Sequence, residues 1–262
     1  MICKICSKKS SYFGQAEILS KYSIKYYKCP DCGFIQTEEP YWLEEAYHST
    51  INRTDVGYVY RNVLLSKVVK KIIFYFYSKT GKFLDYGGGY GLFVRLMRDI
   101  GYDFYWDDAY CENIFSKDFE LKDVKEKKFE LVTAFELCEH LVNPLEDFEK
   151  ILKFSRNIFI STEVYPKTNP NLNEWWYFGL EHGQHVSIYS KETFEYLAKK
   201  YNLNFYTNGK NLHLLSSKKI NSLFFKYISL YYIYISLRPF SSVKTLVNKD
   251  FDLVLNRIKS GN

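Results

Sequence analysis

The sequence predicts an α/β fold built on a parallel sheet, with a small metal-binding module before it and a helical tail after it. Three observations carry this expectation. Four of the six cysteines fall in two tight pairs ahead of Gly33. From residue 81 to about 217, short strand-like runs alternate with helix-like segments, the pattern of a parallel sheet covered by helices. Between the first such strand and the first such helix stand Gly87, Gly88, Gly89 and Gly91, which let the backbone bend sharply.

Length and composition are compatible with this. A chain of 262 residues accommodates one α/β domain and a small appendage. With 47% hydrophobic and 25% charged residues it can bury a core, which excludes a disordered tail. The formal charge of +6 admits anionic small molecules as partners. The basic residues are scattered and form no focused stripe, so no nucleic-acid partner is expected. Met1-Ile2-Cys3-Lys4 has no charged segment followed by an apolar run, so a cytoplasmic location is expected.

The elements follow in order. Residues 1–40 form the metal-binding module. Cys3 and Cys6, and Cys29 and Cys32, each enclose two residues, a spacing that lets both thiolates reach one ion. Two such pairs complete a zinc tetrahedron with no position left for a catalytic water, so the Zn2+ is structural. Pro30, Asp31 and Gly33 supply the turn at the second pair. In a reducing compartment such pairs are metal ligands rather than disulfides. Residues 41–80 read as a helical linker, with Val63, Leu64, Val68, Val69, Ile72 and Ile73 at helical spacing.

Residues 81–217 form the main domain. Strands are expected at Lys82–Asp85, Asp103–Trp106, Phe129–Ala134 and Asn157–Ser161. Helices are expected at Leu92–Ile100, Pro144–Phe154 and Lys191–Tyr201. Gly101 stops the first helix and Ser190 caps the last. Residues 218–262 form a helical extension. Its apolar run from Leu223 to Leu237 is rich in Tyr and interrupted by Lys226, too short and polar to span a bilayer. A packed helix or a dimer interface is expected there.

A dinucleotide fingerprint requires a glycine at the sixth position from Gly87, where Leu92 stands, so a nicotinamide-dependent oxidoreductase is disfavoured. The order Asp85-x-Gly87-x-Gly89-x-Gly91 instead resembles motif I of the class I S-adenosylmethionine-dependent methyltransferases. The resemblance implies a Rossmann-like fold in which this loop cradles the amino-acid end of S-adenosylmethionine, with Asp85, Gly87, Gly89 and Gly91 binding the cofactor. A carboxylate ending the second strand can accept both ribose hydroxyls, a role given to Asp108 with Asp107 as the alternative. Phe129 to Leu141, which contains Glu139-His140-Leu141, looks like the family's fourth motif and implies that Phe135 and Glu136 flank the methionine part. Glu139 and His140 would cap the next helix or meet the acceptor. Asp118 and Phe119 occupy the stretch where the family places its adenine contacts.

The acceptor region is expected after Pro166 and Pro170. Glu174 to Ser190 packs two Trp, two His, two Glu and two Tyr into seventeen positions. Aromatic faces stack on sugars or bases, and His and Glu accept protons. A packed lid is the alternative. This segment, with the four cysteines, is similar to zinc-ribbon methyltransferases of bacterial sugar and glycan pathways. The resemblance implies O-methylation of a sugar, sugar nucleotide or phosphorylated small molecule in surface-glycan (capsule polysaccharide) biosynthesis. His182 or His185 would act as base, with Glu181 orienting the imidazole. Two rivals remain: a ribosomal RNA methyltransferase, and a non-catalytic protein that binds a nucleotide or a partner.

Overall fold

The computed structural model describes residues 1–48, 55–235 and, beyond them, 252, 255 and 256. The main sheet has six strands: β4 (Lys82–Tyr86), β5 (Asp103–Asp107), β6 (Leu131–Phe135), β7 (Asn157–Ser161), β9 (Asn204–Thr207) and β10 (Leu212–Ser216). Their order is β5-β4-β6-β7-β10-β9. The first three pairings are parallel, whereas β10 runs antiparallel to both β7 and β9. From β4 the chain first adds β5 on one side and later β6 on the other. The carboxyl ends of these strands therefore flank a switch point, where open α/β sheets bind ligands.

Alternation along each strand builds two cores. Phe83, Leu131, Phe159 and Leu214 point to one face. They meet α2 (Tyr58–Phe76), α3 (Leu92–Asp99) and α6 (Ser222–Ile235) through residues such as Val68, Ile72, Val94, Phe225 and Ile228. Leu84, Val132, Ile158, Ile160 and Leu215 point to the other face. They meet α4 (Pro144–Phe154) and α5 (Lys191–Tyr201) through Phe148, Ile151, Phe194 and Leu197. Val68, Val69, Ile72 and Ile73 are almost wholly buried, and each such side chain contributes about 1.5–3 kcal/mol relative to exposure. The result is the expected three-layer, Rossmann-like architecture.

The tail helix expected from Leu223 is α6, packed on α2 and β9; the continuation to Leu237 and the expected dimer contact lie outside the described residues. Among the described residues no helix is long and apolar enough to cross a membrane.

The N-terminal module forms a second sheet of β1 (Ser11–Ile18), β2 (Tyr22–Lys28), β3 (Ile35–Thr37) and β8 (Ser187–Ile188). Its last strand comes from the far end of the acceptor segment. Ile35 pairs with Ile188 and Gln36 with Ser187. The Ser190 and Thr193 hydroxyls, which also cap α5, donate to the Cys32 carbonyl at 3.1 and 2.8 Å. Lys4 Nζ donates to the Val142 carbonyl at 3.0 Å. The module is thus bonded directly to the loops over the sheet.

Candidate active site

The four cysteines come together as their spacing requires. Sγ atoms lie 3.6 Å apart for Cys3 and Cys32 and 3.4 Å apart for Cys6 and Cys29. All four fall within 4.8 Å of one another, and all are buried. A tetrahedral zinc with bonds of about 2.3 Å spaces its sulfurs by about 3.8 Å, so this donor set fits the ion. The hydrogen bond between Cys3 and Cys32 lowers the Cys3 pKa and raises that of Cys32, so Cys3 is the thiol of that pair that ionises first.

At the carboxyl end of β4 the chain turns at Gly87, in the left-handed region at φ 73°. A side chain there would also run into Leu137, 2.8 Å from the Cβ position. The Gly87 and Gly88 N–H groups donate to the Asp107 carbonyl at 2.8 and 3.1 Å, fixing the turn to the end of β5. The Gly89 N–H donates to the Asp108 carboxylate at 2.9 Å. Asp108 also accepts the N–H groups of Tyr110 and Cys111 at 2.8 and 2.9 Å. A carboxylate offers about four acceptor positions, so Asp108 has little capacity to spare. The Asp107 carboxylate has no hydrogen bond among the described residues. Partial burial and the Asp108 charge raise its pKa.

Beneath the turn, the buried Asp85 accepts the Thr133 hydroxyl at 2.6 Å. Burial, reinforced by the Asp108 charge, lifts its pKa to about 7. Across the switch point, Glu136 takes a left-handed φ of 48° directly after β6. That conformation costs a non-glycine residue about 1–2 kcal/mol. Ser161 holds it there, accepting the Glu136 N–H at its carbonyl (3.0 Å) and donating its hydroxyl to the Glu136 carboxylate (2.6 Å). Arg61, held by Asp55 through two bonds of 2.9 and 2.8 Å, lies 3.8 Å from the same carboxylate.

Gly87, Gly89, Asp85, Asp107, Asp108, Phe135 and Glu136 all line one cavity of about 1280 Å3. Three residues expected at the cofactor end do not line it. Gly91, at φ 82°, starts α3, and its Cα faces the Ser116 and Asn113 side chains, so it serves packing. Asp118 is solvent-exposed. The Phe119 ring lies under the Arg98 guanidinium at 3.6 Å. Both residues expected at the adenine thus lie outside the lining of this cavity.

The opposite end of the cavity is assembled from distant segments. Glu139 and His140 form a single turn after β6, and His182 and His185 arrive from the acceptor segment. The Val186 N–H donates to the Glu139 carbonyl at 2.9 Å, and the Ser187 hydroxyl to the Leu141 carbonyl at 2.6 Å. Those bonds and the β3–β8 pairing fix His185 beside Glu139 and His140. Trp42 Nε1 donates to the Gly183 carbonyl at 2.7 Å and Gln184 Nε2 to the Ala46 carbonyl at 2.7 Å, so the start of the linker, with the short helix α1 (Leu43–Ala46), closes the same loop.

Hydrogen-bond partners assign the imidazole lone pairs. His185 Nδ1 faces the Tyr177 carbonyl at 2.6 Å and must donate, which leaves Nε2 as acceptor. His182 Nδ1 accepts the Gln184 N–H at 3.1 Å, which puts the proton on Nε2. Burial first, with His185 and His140 adding, depresses the His182 pKa far below the usual range. His185 is therefore built to receive a proton at the position where His182 carries one. Glu181 is exposed and bonds to neither imidazole among the described residues, so the orienting role expected of it is corrected. The orienting groups are the Tyr177 and Gln184 main chain.

Sequence reasoning missed two neighbours of this cluster. The Tyr177 hydroxyl donates to Glu139 at 2.6 Å, and the Tyr47 hydroxyl lies 3.0 Å from His140 Nδ1. Glu139 itself is 1% exposed. The sequence singled out Glu139, but its burial is visible only in the fold.

A family model described as "Methyltransferase domain" matches residues 60–208, more than half of the chain. No curated protein sequence matches it. Similar solved structures include CalO1, a methyltransferase in calicheamicin biosynthesis, at 14% identity and TM-score 0.41, covering 60% of this chain and 54% of that one. The plantazolicin methyltransferase BpumL is similar at 14% identity and TM-score 0.48, covering 82% of this chain and 87% of that one. An O-methyltransferase family protein from Burkholderia thailandensis is similar at 11% identity and TM-score 0.46, covering 69% and 65%. The chain spans about half the length of CalO1. By the match over residues 60–208, which takes in the glycine turn and both halves of the polar cluster, the chain belongs to the methyltransferase-domain family.

Proposed function

We propose that this chain transfers the methyl group of S-adenosylmethionine to a hydroxyl of a small-molecule acceptor, of the sugar, sugar-nucleotide or phosphorylated class. The observation that carries the reading is the single cavity running from the glycine turn to the Glu139–His140–His185 cluster. Asp85, Gly87 and Gly89 would hold the amino-acid end of the cofactor. Asp107 and Asp108 would meet the ribose, and Phe135 and Glu136 the methionine chain. The Cys3–Cys6–Cys29–Cys32 module would act structurally, fixing β8 and through it His185.

Bound S-adenosylmethionine supplies an electrophilic methyl on a sulfonium. The chain's own contribution is alignment and proton removal. Holding the acceptor hydroxyl in line with the methyl supplies a large share of the rate. His185 Nε2 receives the hydroxyl proton as the oxygen–methyl bond forms and the methyl–sulfur bond breaks, a contribution of about 10²–10⁴-fold. The exposed Trp176 offers ring surface at the same end for the face of a sugar or base.

The test is calorimetry with S-adenosylmethionine, followed by a labelled-methyl screen of sugar nucleotides and sugar phosphates with mass readout. Micromolar cofactor binding and one labelled product support the reading. Absence of cofactor binding to the folded chain refutes it.

A further inference from the structure

We propose that Glu139, His140 and His185 form a second metal site, separate from the four cysteines, that takes a divalent first-row transition cation at the acceptor end of the cavity. One ligand atom from each residue lies within 4.8 Å of the others. A cation with bonds of about 2.1 Å holds its donors about 3–4.2 Å apart, so a small closure of side chains completes the site. Two imidazoles and one carboxylate are a donor set that such cations favour.

Two independent observations point to a ligand here. The first is an orphan atom. The Tyr177 hydroxyl occupies Glu139 Oε1 at 2.6 Å, but Glu139 Oε2 is buried without any hydrogen-bond partner. An uncompensated buried carboxylate oxygen is costly, and a cation is the partner that removes the cost most completely. The second is the anchoring of the rings. His185 Nδ1 is tied to the Tyr177 carbonyl at 2.6 Å, and His140 Nδ1 lies 3.2 Å from the Gln184 carbonyl, with the Tyr47 hydroxyl 3.0 Å from the same nitrogen. Metal-binding histidines are held in this manner, one nitrogen on a carbonyl and the other presenting its lone pair. The two rings are nearly perpendicular, at 78° with centroids 5.0 Å apart.

Three protein ligands leave coordination positions open, and all three residues line the cavity. The proposal rests on the methyl-transfer reading for what enters there. A cation so placed takes two neighbouring oxygens of a sugar or phosphorylated acceptor and lowers the pKa of the hydroxyl to be methylated. In the metal-loaded chain His185 Nε2 is occupied as a ligand, which replaces its role as direct base, and the hydroxyl proton leaves to water.

The test uses the full chain with zinc retained in the cysteine site, titrated with Co2+ and followed by calorimetry and visible absorption. The expected result is one further equivalent of cobalt, with ligand-field bands but no new thiolate charge-transfer band. Glu139→Gln and His185→Ala should each weaken that binding at least tenfold, while S-adenosylmethionine affinity stays within about threefold. His140→Gln provides a third variant should either of the others lose its native circular dichroism. Absence of a second equivalent in the folded chain overturns the proposal, as does unchanged cobalt affinity in all folded variants. Because cobalt binding is read without cofactor or turnover, loss of this site and failure of methyl transfer are separate results.

Discussion

The two ends of the cavity are built on opposite principles. The glycine-turn part of the cofactor end is local: β4, the Gly87–Gly89 turn and the end of β5 lie within about two dozen consecutive residues, joined by backbone hydrogen bonds. The acceptor end is non-local. Tyr47, Glu139, His140, Tyr177 and His185 come from three separate segments, brought together by β8, the cysteine module and the start of the linker. The local end should therefore survive damage elsewhere in the chain, whereas the acceptor end should fail whenever any of its supports is removed.

The largest expected effect tests that contrast directly. Replacing Cys29 and Cys32 by Ser, or stripping the zinc, should release β3 from β8 and lower turnover by at least about a hundredfold, consistent with the loss of supporting structure around a site. Cofactor affinity measured by calorimetry should change by less than tenfold. Equal losses at both ends would show that they are one cooperative unit.

The converse experiment is Gly87→Val. A β-branched residue at φ 73°, pressed against Leu137, should weaken S-adenosylmethionine binding by about ten- to a hundredfold through strain and blocked approach. Binding of acceptor analogues, followed by fluorescence of Trp175 and Trp176, should be nearly unchanged.

Within the acceptor end, the two histidines should separate. His185→Gln should lower kcat by about 10²–10⁴-fold, because Nε2 presents its lone pair. His182→Gln should lower it by less than about tenfold, since its Nε2 carries the proton. Similar losses in both would contradict the assignment of lone pairs.

Asp85 should give a smaller effect that depends on pH. Burial raises its folded pKa from 3.8 to about 7, so between these values the folded state binds more protons than the unfolded chain. The contribution of Asp85 to stability is therefore complete at low pH and lost as pH rises through about 7. Asp85→Asn, which keeps an acceptor for Thr133, should raise the melting temperature relative to the native chain at pH 8. The difference should vanish near pH 4. The smallest effect is expected of the exposed Glu181, where Glu181→Gln should leave kcat/KM within about twofold.

The same contrast decided what could be read from the sequence. Strands β4, β5 and β7 and helices α4 and α5 were legible because each carries its signal within a few residues, as with the Ser190 cap before α5. The glycine turn was legible for the same reason. The pair β9 and β10 was not. Leu212–Ser216 is buried on both faces and shows no alternation, and its antiparallel insertion beside β7 depends on contacts far along the chain. Strand β8 is two residues long and exists only because β3 accepts it. At the acceptor end, the density of His and aromatic residues in 174–190 was visible. What each imidazole does was not, because its tautomer depends on main-chain groups that only the fold brings near. At Gly91, a motif position expected at the cofactor, the Asn113 and Ser116 side chains stand where a side chain would go, a packing demand the motif did not show.

The account stands on one cavity serving both reactants, and a crystal structure with S-adenosylhomocysteine and a sugar nucleotide tests that most directly. The account predicts the homocysteine over the Gly87–Gly89 turn, the ribose at Asp107 and Asp108, and an acceptor hydroxyl between the sulfur and His185. Cofactor density away from the glycine turn, or an acceptor held out of reach of the Glu139–His140–His185 cluster, would contradict it.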